Sequence, residues 1–215
     1  MPRATSTHFE GSSVVFEPSP DSAPSGVRRT PPLPVKIIIA GGFAVGKTTT
    51  VASISDIRPL TTEAVMTEVA AGIDDASQTP DKTTTTVAMD FGSLNIDDGL
   101  KLYLFGTPGQ DRFGFMWGDL VRGALGALVI VDSGRLSDCY PAVDYFEQAG
   151  LPFVVGVNRF AGREHYRSAE LRWALAIPDR IPIVEFDARD KLSVRDTLLV
   201  VLDEALTRAQ TTHPT

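Results

Sequence analysis

Gly41-Gly42-Phe43-Ala44-Val45-Gly46-Lys47-Thr48 follows the apolar run Val35-Lys36-Ile37-Ile38-Ile39-Ala40 and precedes a polar segment compatible with a helix. The stretch has the form G-x-x-x-x-G-K-[ST]. Glycines at these places let successive backbone N–H groups turn inward as a cradle for phosphate oxygens, and the N-terminus of the next helix adds its partial positive charge. Lys47 is then the residue that reaches the β- and γ-phosphates, and the Thr48 hydroxyl the one that ligates Mg²⁺. A bare match to this pattern arises by chance in many chains. Here the buried-type strand before it and the unbroken segment after it supply the context that makes it a phosphate loop.

The chain has 215 residues, room for one well-buried domain with tails but tight for two. Its 43% hydrophobic and 22% charged residues are ordinary for a soluble globular protein, and no apolar run nears the roughly 20 residues a membrane helix needs. A single cysteine, Cys139, excludes an internal disulfide, and the first residues lack the apolar core of a signal peptide. A cytoplasmic address is the expectation. A formal net charge of −7 argues against a general nucleic-acid binder, because such partners need a basic surface.

Residues 1–33 are rich in proline, serine and threonine, with Val14-Val15-Phe16 as the one apolar cluster. They read as a disordered arm, since they bury too little apolar area to offset ordering entropy. The folded domain is expected over residues 34–209, with 210–215 as a flexible tail. Within the domain, Val35–Ala40, Leu100–Phe105, Leu125–Val131, Phe153–Val157 and Ile181–Phe186 are short, nearly continuous apolar runs. Such runs are the mark of strands covered by helices on both faces, hence an α/β layered sheet. Thr83 to Ile96 is more mixed, as on an edge strand, and the turn signal Asn95-Ile96-Asp97-Asp98-Gly99 predicts an antiparallel hairpin with Leu100 to Phe105. Asp97-Asp98 is expected to be solvated turn and not a metal site.

The last helix is expected to open on a capping box of Ser193 with Asp196 and to bury Val194, Leu198, Val201, Leu202 and Ala205. Ser168 to Ala176 predicts another helix, ended by Pro178, with Trp173 in the core. Ser53 to Lys82 is longer than a simple connector and reads as a mobile switch. His8, His165 and His213 show no metal-ligand spacing, and Cys139 is expected to be a buried, inert thiol.

A second constellation, Phe105-Gly106-Thr107-Pro108-Gly109-Gln110-Asp111-Arg112, ends a buried strand. Strand ends beside a phosphate loop are where γ-phosphate sensors belong. Gly109 is placed to offer its backbone N–H to that phosphate, and Gln110 to orient a hydrolytic water. After it, Phe113, Phe115, Met116 and Trp117 form an aromatic cluster, part core and part candidate partner surface.

Five stretches together carry a family resemblance: Gly41 to Thr48, Thr83 to Gly92, Gly106 to Phe113, Val157-Asn158-Arg159-Phe160 and Asp187-Ala188-Arg189-Asp190. In that order, over about residues 35 to 210 of the chain, they resemble a small Ras-like GTPase, and more closely the bacterial conservon-type (CvnD-like) GTPases related to MglA. The resemblance implies a P-loop NTPase fold of the Ras-like G-domain kind. Its sheet has six strands in the order 2-3-1-4-5-6, with strand 2 antiparallel and helices on both faces. It implies GTP/GDP and Mg²⁺ as ligands, held by residues 41 to 49 including Thr49, by Gly109, and by Asn158, Arg159, Ala188 and Arg189 at the base end. It also implies that Thr86 closes over Mg²⁺ beside Thr48, that Gln110 is the catalytic residue, and that hydrolysis is slow without a partner. Its implied partners are a roadblock-domain (MglB-like) protein and the conservon complex, with no transmembrane segment and membrane association only through partners.

Two departures from the wider GTPase pattern stand out. Most relatives carry aspartate where this chain has Gly106, so cation support is expected from Thr48, Thr86 and phosphate oxygens. The base-reading motif Asn-Lys-x-Asp is here Asn158-Arg159-Phe160-Ala161, and alanine accepts no hydrogen bond from guanine. Unmatched donors cost about 1 to 3 kcal/mol unless another group, Glu164 or Asp187, replaces the carboxylate. Arg58 and Arg112 are each read as an internal arginine finger or a surface ion pair. The main alternative is a nucleotide-binding scaffold without turnover. A small-molecule kinase lacks its arginine-rich lid.

Overall fold

The structure, a computed structural model, describes residues 30–67, 84–109 and 116–212, with backbone alone for 62–67, 84–88 and 212. Contacts divide the chain into Met1–Thr30 and a body over Pro31–Thr215. The reading of the N-terminal arm therefore lies almost wholly outside the described residues, as do Gln110, Asp111, Arg112, Phe113 and Phe115.

The body alternates strands and helices. They are β1 Leu33–Ala40, α1 Lys47–Ile54, β2 Leu60–Thr67, β3 Thr84–Asn95, β4 Leu100–Gly106, α2 Trp117–Val121, β5 Ala124–Val131, α3 Tyr140–Ala149, β6 Phe153–Asn158, α4 Ser168–Ala174, β7 Ile183–Phe186 and α5 Lys191–Thr212. The sheet has the order β2-β3-β4-β1-β5-β6-β7. β4, β1, β5, β6 and β7 pair in parallel, whereas β3 runs antiparallel to both of its neighbours. The expected six-strand order is thus present from β3 to β7. The seventh strand corrects the count: Leu60–Thr67 lies in the segment read as a mobile switch and covers the edge assigned to β3. Its first half, Leu60-Thr61-Thr62-Glu63, is a polar edge sequence without the continuous apolar run of a doubly covered strand, so periodicity does not mark it.

Alternation along β1 divides the core between the faces of the sheet. Ile37 and Ile39 join Val51 and Ile54 of α1 and Val194, Leu198 and Val201 of α5 on one face. Ile38 and Ala40 join Trp117, Phe146 of α3 and Leu171 of α4 on the other. The three β1 isoleucines and Ile54 are fully buried, each contributing about 1.5 to 3 kcal/mol by removal from water. Trp117 stacks on Phe146 at 5.9 Å and meets Tyr145 edge-on at 5.2 Å, so this part of the aromatic cluster is core.

Other local expectations divide. The β3–β4 turn closes as read, with Gly99 N–H donating to Asp97 Oδ1 at 2.7 Å. All five apolar positions named for α5 are buried. Its cap is different: Asp190 Oδ1 accepts the Leu192 N–H at 3.0 Å, and Ser193 Oγ instead accepts the N–H of Asp187. The helix continues to Thr212, into the segment read as a tail. Trp173 is corrected outright, being 86% exposed on α4. Its helix spans only Ser168–Ala174 and buries Leu171 as its single inward anchor, which leaves the indole outside. No helix among the described residues is long and apolar enough to cross a membrane.

Candidate functional site

β1 ends at Ala40, and the chain turns through the glycine-rich stretch into α1. Gly46 stands at the helix N-cap with φ +108° and no side-chain cap. A Cβ there would lie 2.6 Å from Asn158 Nδ2, so glycine is required both by the left-handed backbone and by the close approach of Asn158. Without a cap, the first N–H groups of α1 are left for an anion, and no acidic side chain in the first turn opposes one. The loop borders a cavity of about 460 Å³ that also receives Thr48, Thr49 and Gly109.

Lys47 is buried, and its ammonium donates to the carbonyls of Gly41 at 2.9 Å and Gly42 at 2.6 Å. Burial lowers its pKa to about 8, with the Asp90 charge pulling the other way. A phosphate would supply the negative charge that these neutral carbonyls only approximate.

The most informative contact was not read from the sequence. Asp90 of β3 is only 7% exposed, and its Oδ2 accepts the Thr48 hydroxyl at 2.6 Å. In the sheet register Asp90 stands opposite Gly106. A Cβ on Gly106 would come to 3.0 Å from the Asp90 Cβ and 3.2 Å from its Oδ2. The glycine is therefore the space that the Asp90 carboxylate occupies, and the acidic group thought missing from β4 stands on the adjacent strand. A carboxylate therefore stands beside the Thr48 hydroxyl, in addition to the Thr86 and phosphate oxygens expected there. The signal was available: stepping back along the hairpin from Asn95 opposite Lys101 brings Asp90 opposite Gly106.

The residues present fit a hard cation with a nucleoside phosphate. The donors are hydroxyl and carboxylate oxygens, and among the described residues no group of three His, Cys, Asp or Glu offers a softer site. The buried Thr107 hydroxyl, beside the same cavity, has no hydrogen-bond partner among the described residues. Such a group is ordinarily satisfied by a ligand or water. Thr86 lies in β3 opposite Val65, four residues before Asp90.

At the other end, Asn158 closes β6 and is 5% exposed. Its Nδ2 donates to the Val45 carbonyl and its Oδ1 accepts the Ala188 N–H, both at 3.0 Å. The phosphate loop and the β7–α5 loop are thereby tied through one side chain. The Ala188 N–H expected to meet a base is spent on Asn158 in this conformer. Arg159 pairs with Glu185 at 3.2 Å, and Arg189 forks onto Asp187. The Arg189 hydrogen bonds hold the Asp187 carboxyl at about 2. Ala161 lies exposed in the turn after Arg159.

A further acid went unread. Asp132 directly follows β5 with its side chain 3% exposed, and accepts from Gly134 N–H, Arg135 and Arg163. Burial pushes its carboxyl up, but the Gly134 N–H and the two guanidinium groups hold it below the usual range. Arg135 also donates to the Phe43 carbonyl at 3.2 Å, and Arg163 belongs to the base-end loop. One carboxylate thus braces the phosphate loop and the base-end loop together. Arg58 is exposed.

Residues 39–211 match the family described as conserved hypothetical ATP-binding proteins. The chain belongs to that family. An uncharacterised protein of Methanocaldococcus jannaschii is 32% identical over 127 residues, 58% of this chain and 70% of its own length. The FeoB G-domain of Methanococcus jannaschii superposes with a TM-score of 0.54 at 14% identity, covering 80% of this chain and 98% of that one. The G domain of the T. maritima FeoB iron transporter gives 0.54 at 17% identity, covering 83% and 100%. At these identities the structural neighbours speak for the fold alone, and it is that of a G domain. This member of the ATP-binding family is thus a P-loop protein of G-domain architecture.

Proposed function

We propose that the chain binds GTP and GDP with Mg²⁺, hydrolyses GTP slowly, and acts as a switch whose two nucleotide states are read by partner proteins. The observation that carries this is the 2.6 Å hydrogen bond from the Thr48 hydroxyl to Asp90 at the mouth of the phosphate loop. A hydroxyl whose proton is held by a carboxylate keeps its lone pairs directed at a cation. Thr48 and Asp90 would hold the ion, Lys47 and the first amides of α1 the phosphates, and Asn158 the loop beneath the base. Mg²⁺, when bound, neutralises charge on the β- and γ-oxygens. Gln110 orients the attacking water in this reading, Gly109 contacts the γ-phosphate, and Thr86 closes from β3.

Guanine as the base and the roadblock-domain and conservon partners rest on the resemblance to the conservon-type GTPases, while the cytoplasmic address and the arm over residues 1–33 rest on composition. A second reading, an adenine nucleotide, is favoured by the family's description and by the absence of a carboxylate at Ala161. Denaturing freshly purified protein and identifying the released nucleotide by chromatography separates the two. Guanine nucleotide supports the first reading, and adenine nucleotide alone, even after loading with GTP and Mg²⁺, sinks it. Single-turnover hydrolysis by wild type and Gln110→Ala then distinguishes a switch from a scaffold without turnover: no turnover in either protein, with a roadblock partner present, leaves the scaffold.

A further inference from the structure

We propose that Thr61 of the edge strand β2 is the third side chain of the cation site and couples that strand to the bound nucleotide. The inference rests on the reading of the cavity as a Mg²⁺-nucleotide site. Three residues stand in one row across the sheet, Thr61 opposite Asp90 and Asp90 opposite Gly106. The Thr61 hydroxyl donates to Asp90 Oδ1 at 3.1 Å, while Thr48 donates to Oδ2 at 2.6 Å. Each carboxylate oxygen is therefore capped by one threonine. Thr61 also lines the phosphate cavity together with Lys47 and Thr48.

Both hydroxyls have given their protons to the same acid. Their lone pairs are what they have left to offer, and a divalent cation is what accepts them. Asp90 itself is buried with hydroxyl donors on both oxygens, and among the described residues it forms no ion pair with a lysine or arginine. Asp90 acts on the Lys47 ammonium only through space, since that ammonium is bonded to the Gly41 and Gly42 carbonyls, so a cation seated in the row is what would offset the burial of the acid directly. Two hydroxyls, a carboxylate and phosphate oxygens are the all-oxygen donor set that Mg²⁺ takes.

Thr86, the threonine implied by resemblance, is four residues along β3 from Asp90, on the order of 13 Å of extended chain. Thr61 already touches the carboxylate. Because Thr61 belongs to the strand that the polar sequence concealed, a cation held there fastens the sheet edge, and its loss frees that edge.

The test uses the full chain and the dissociation rate of a fluorescent, non-hydrolysable GTP or ATP analogue, whichever the wild type binds, as Mg²⁺ is titrated. Thr61→Val keeps the shape and the β-branch on an exposed edge, and circular dichroism checks that it folds. It is expected to raise the Mg²⁺ needed to slow release by about ten- to 100-fold, with Thr61→Ser restoring the wild-type requirement. An unchanged Mg²⁺ requirement in Thr61→Val overturns the inference and leaves the nucleotide reading standing. A shift in Thr86→Val with none in Thr61→Val gives the role to Thr86 and overturns it equally. If the wild type binds neither analogue at any Mg²⁺ concentration, the nucleotide reading and the inference fall together.

Discussion

At the scale of single residues, the site turns on an exchange between neighbouring strands: Gly106 gives up its side chain, and Asp90 fills the space with a carboxylate aimed at Thr48. From the motif alone, Gly106→Asp looks like a repair toward the common GTPase pattern. The packing predicts the reverse. A second acid would overlap Asp90 and add a like charge, costing about 1 to 3 kcal/mol of stability and weakening Mg²⁺ binding. Urea unfolding and a Mg²⁺ titration of nucleotide release check it, and tighter Mg²⁺ binding in that variant would show the exchange to be misread. The double variant Asp90→Gly with Gly106→Asp should lose less than the sum of the single changes.

Lys47 gives a pH prediction. Burial lowers it to about 8 from an ordinary 10.5. Between those values the unfolded chain holds a proton that the native chain lacks, so this group makes native stability rise with pH across that window. Phosphate oxygens favour the charged form, so nucleotide binding above about pH 8 should take up a proton. Calorimetry in buffers of different ionisation enthalpy reads this uptake directly. Binding without proton uptake would mean that the ammonium stays on the loop carbonyls.

At the scale of elements, loops set at the ends of several strands are held by a few side chains. Asn158 joins the phosphate loop to the β7–α5 loop by two hydrogen bonds of 3.0 Å. Asn158→Ala strands a buried carbonyl and a buried N–H, so a loss of about 2 kcal/mol and weaker nucleotide binding are expected. Denaturant midpoints and nucleotide release rates measure both, and a change in binding without one in stability would make Asn158 a base contact only. Short α4 gives the opposite expectation. Trp173 is 86% exposed, so Trp173→Ser should shift stability by less than about 0.5 kcal/mol. A larger loss would place the indole in the core after all. The difference between these residues was hidden in the sequence, because periodicity marks an apolar face but not whether a neighbour covers it.

At the scale of the molecule, the only cysteine reports on global opening. Cys139 is 1% exposed, its thiol donates to the Leu136 carbonyl at 3.0 Å, and burial raises it to about 12. Alkylation should therefore follow unfolding and slow further when nucleotide is added, since a ligand stabilises the native state by mass action. Fast labelling in native buffer would contradict the buried thiol. Resemblance supplied the strand order from β3 to β7, whereas the sequence by itself determined the layered α/β class, the hairpin and the phosphate loop. Each of these follows from local chemistry: continuous apolar runs, turn residues and glycines at set spacing. Tertiary structure decided what needs two distant segments at once. It placed Asp90 against Gly106 and Thr48, Thr61 on Asp90, Asp132 between Arg135 and Arg163, and Ala188 on Asn158. A polar edge strand and a buried acid leave little local trace, because what makes them stable is a partner far away along the chain.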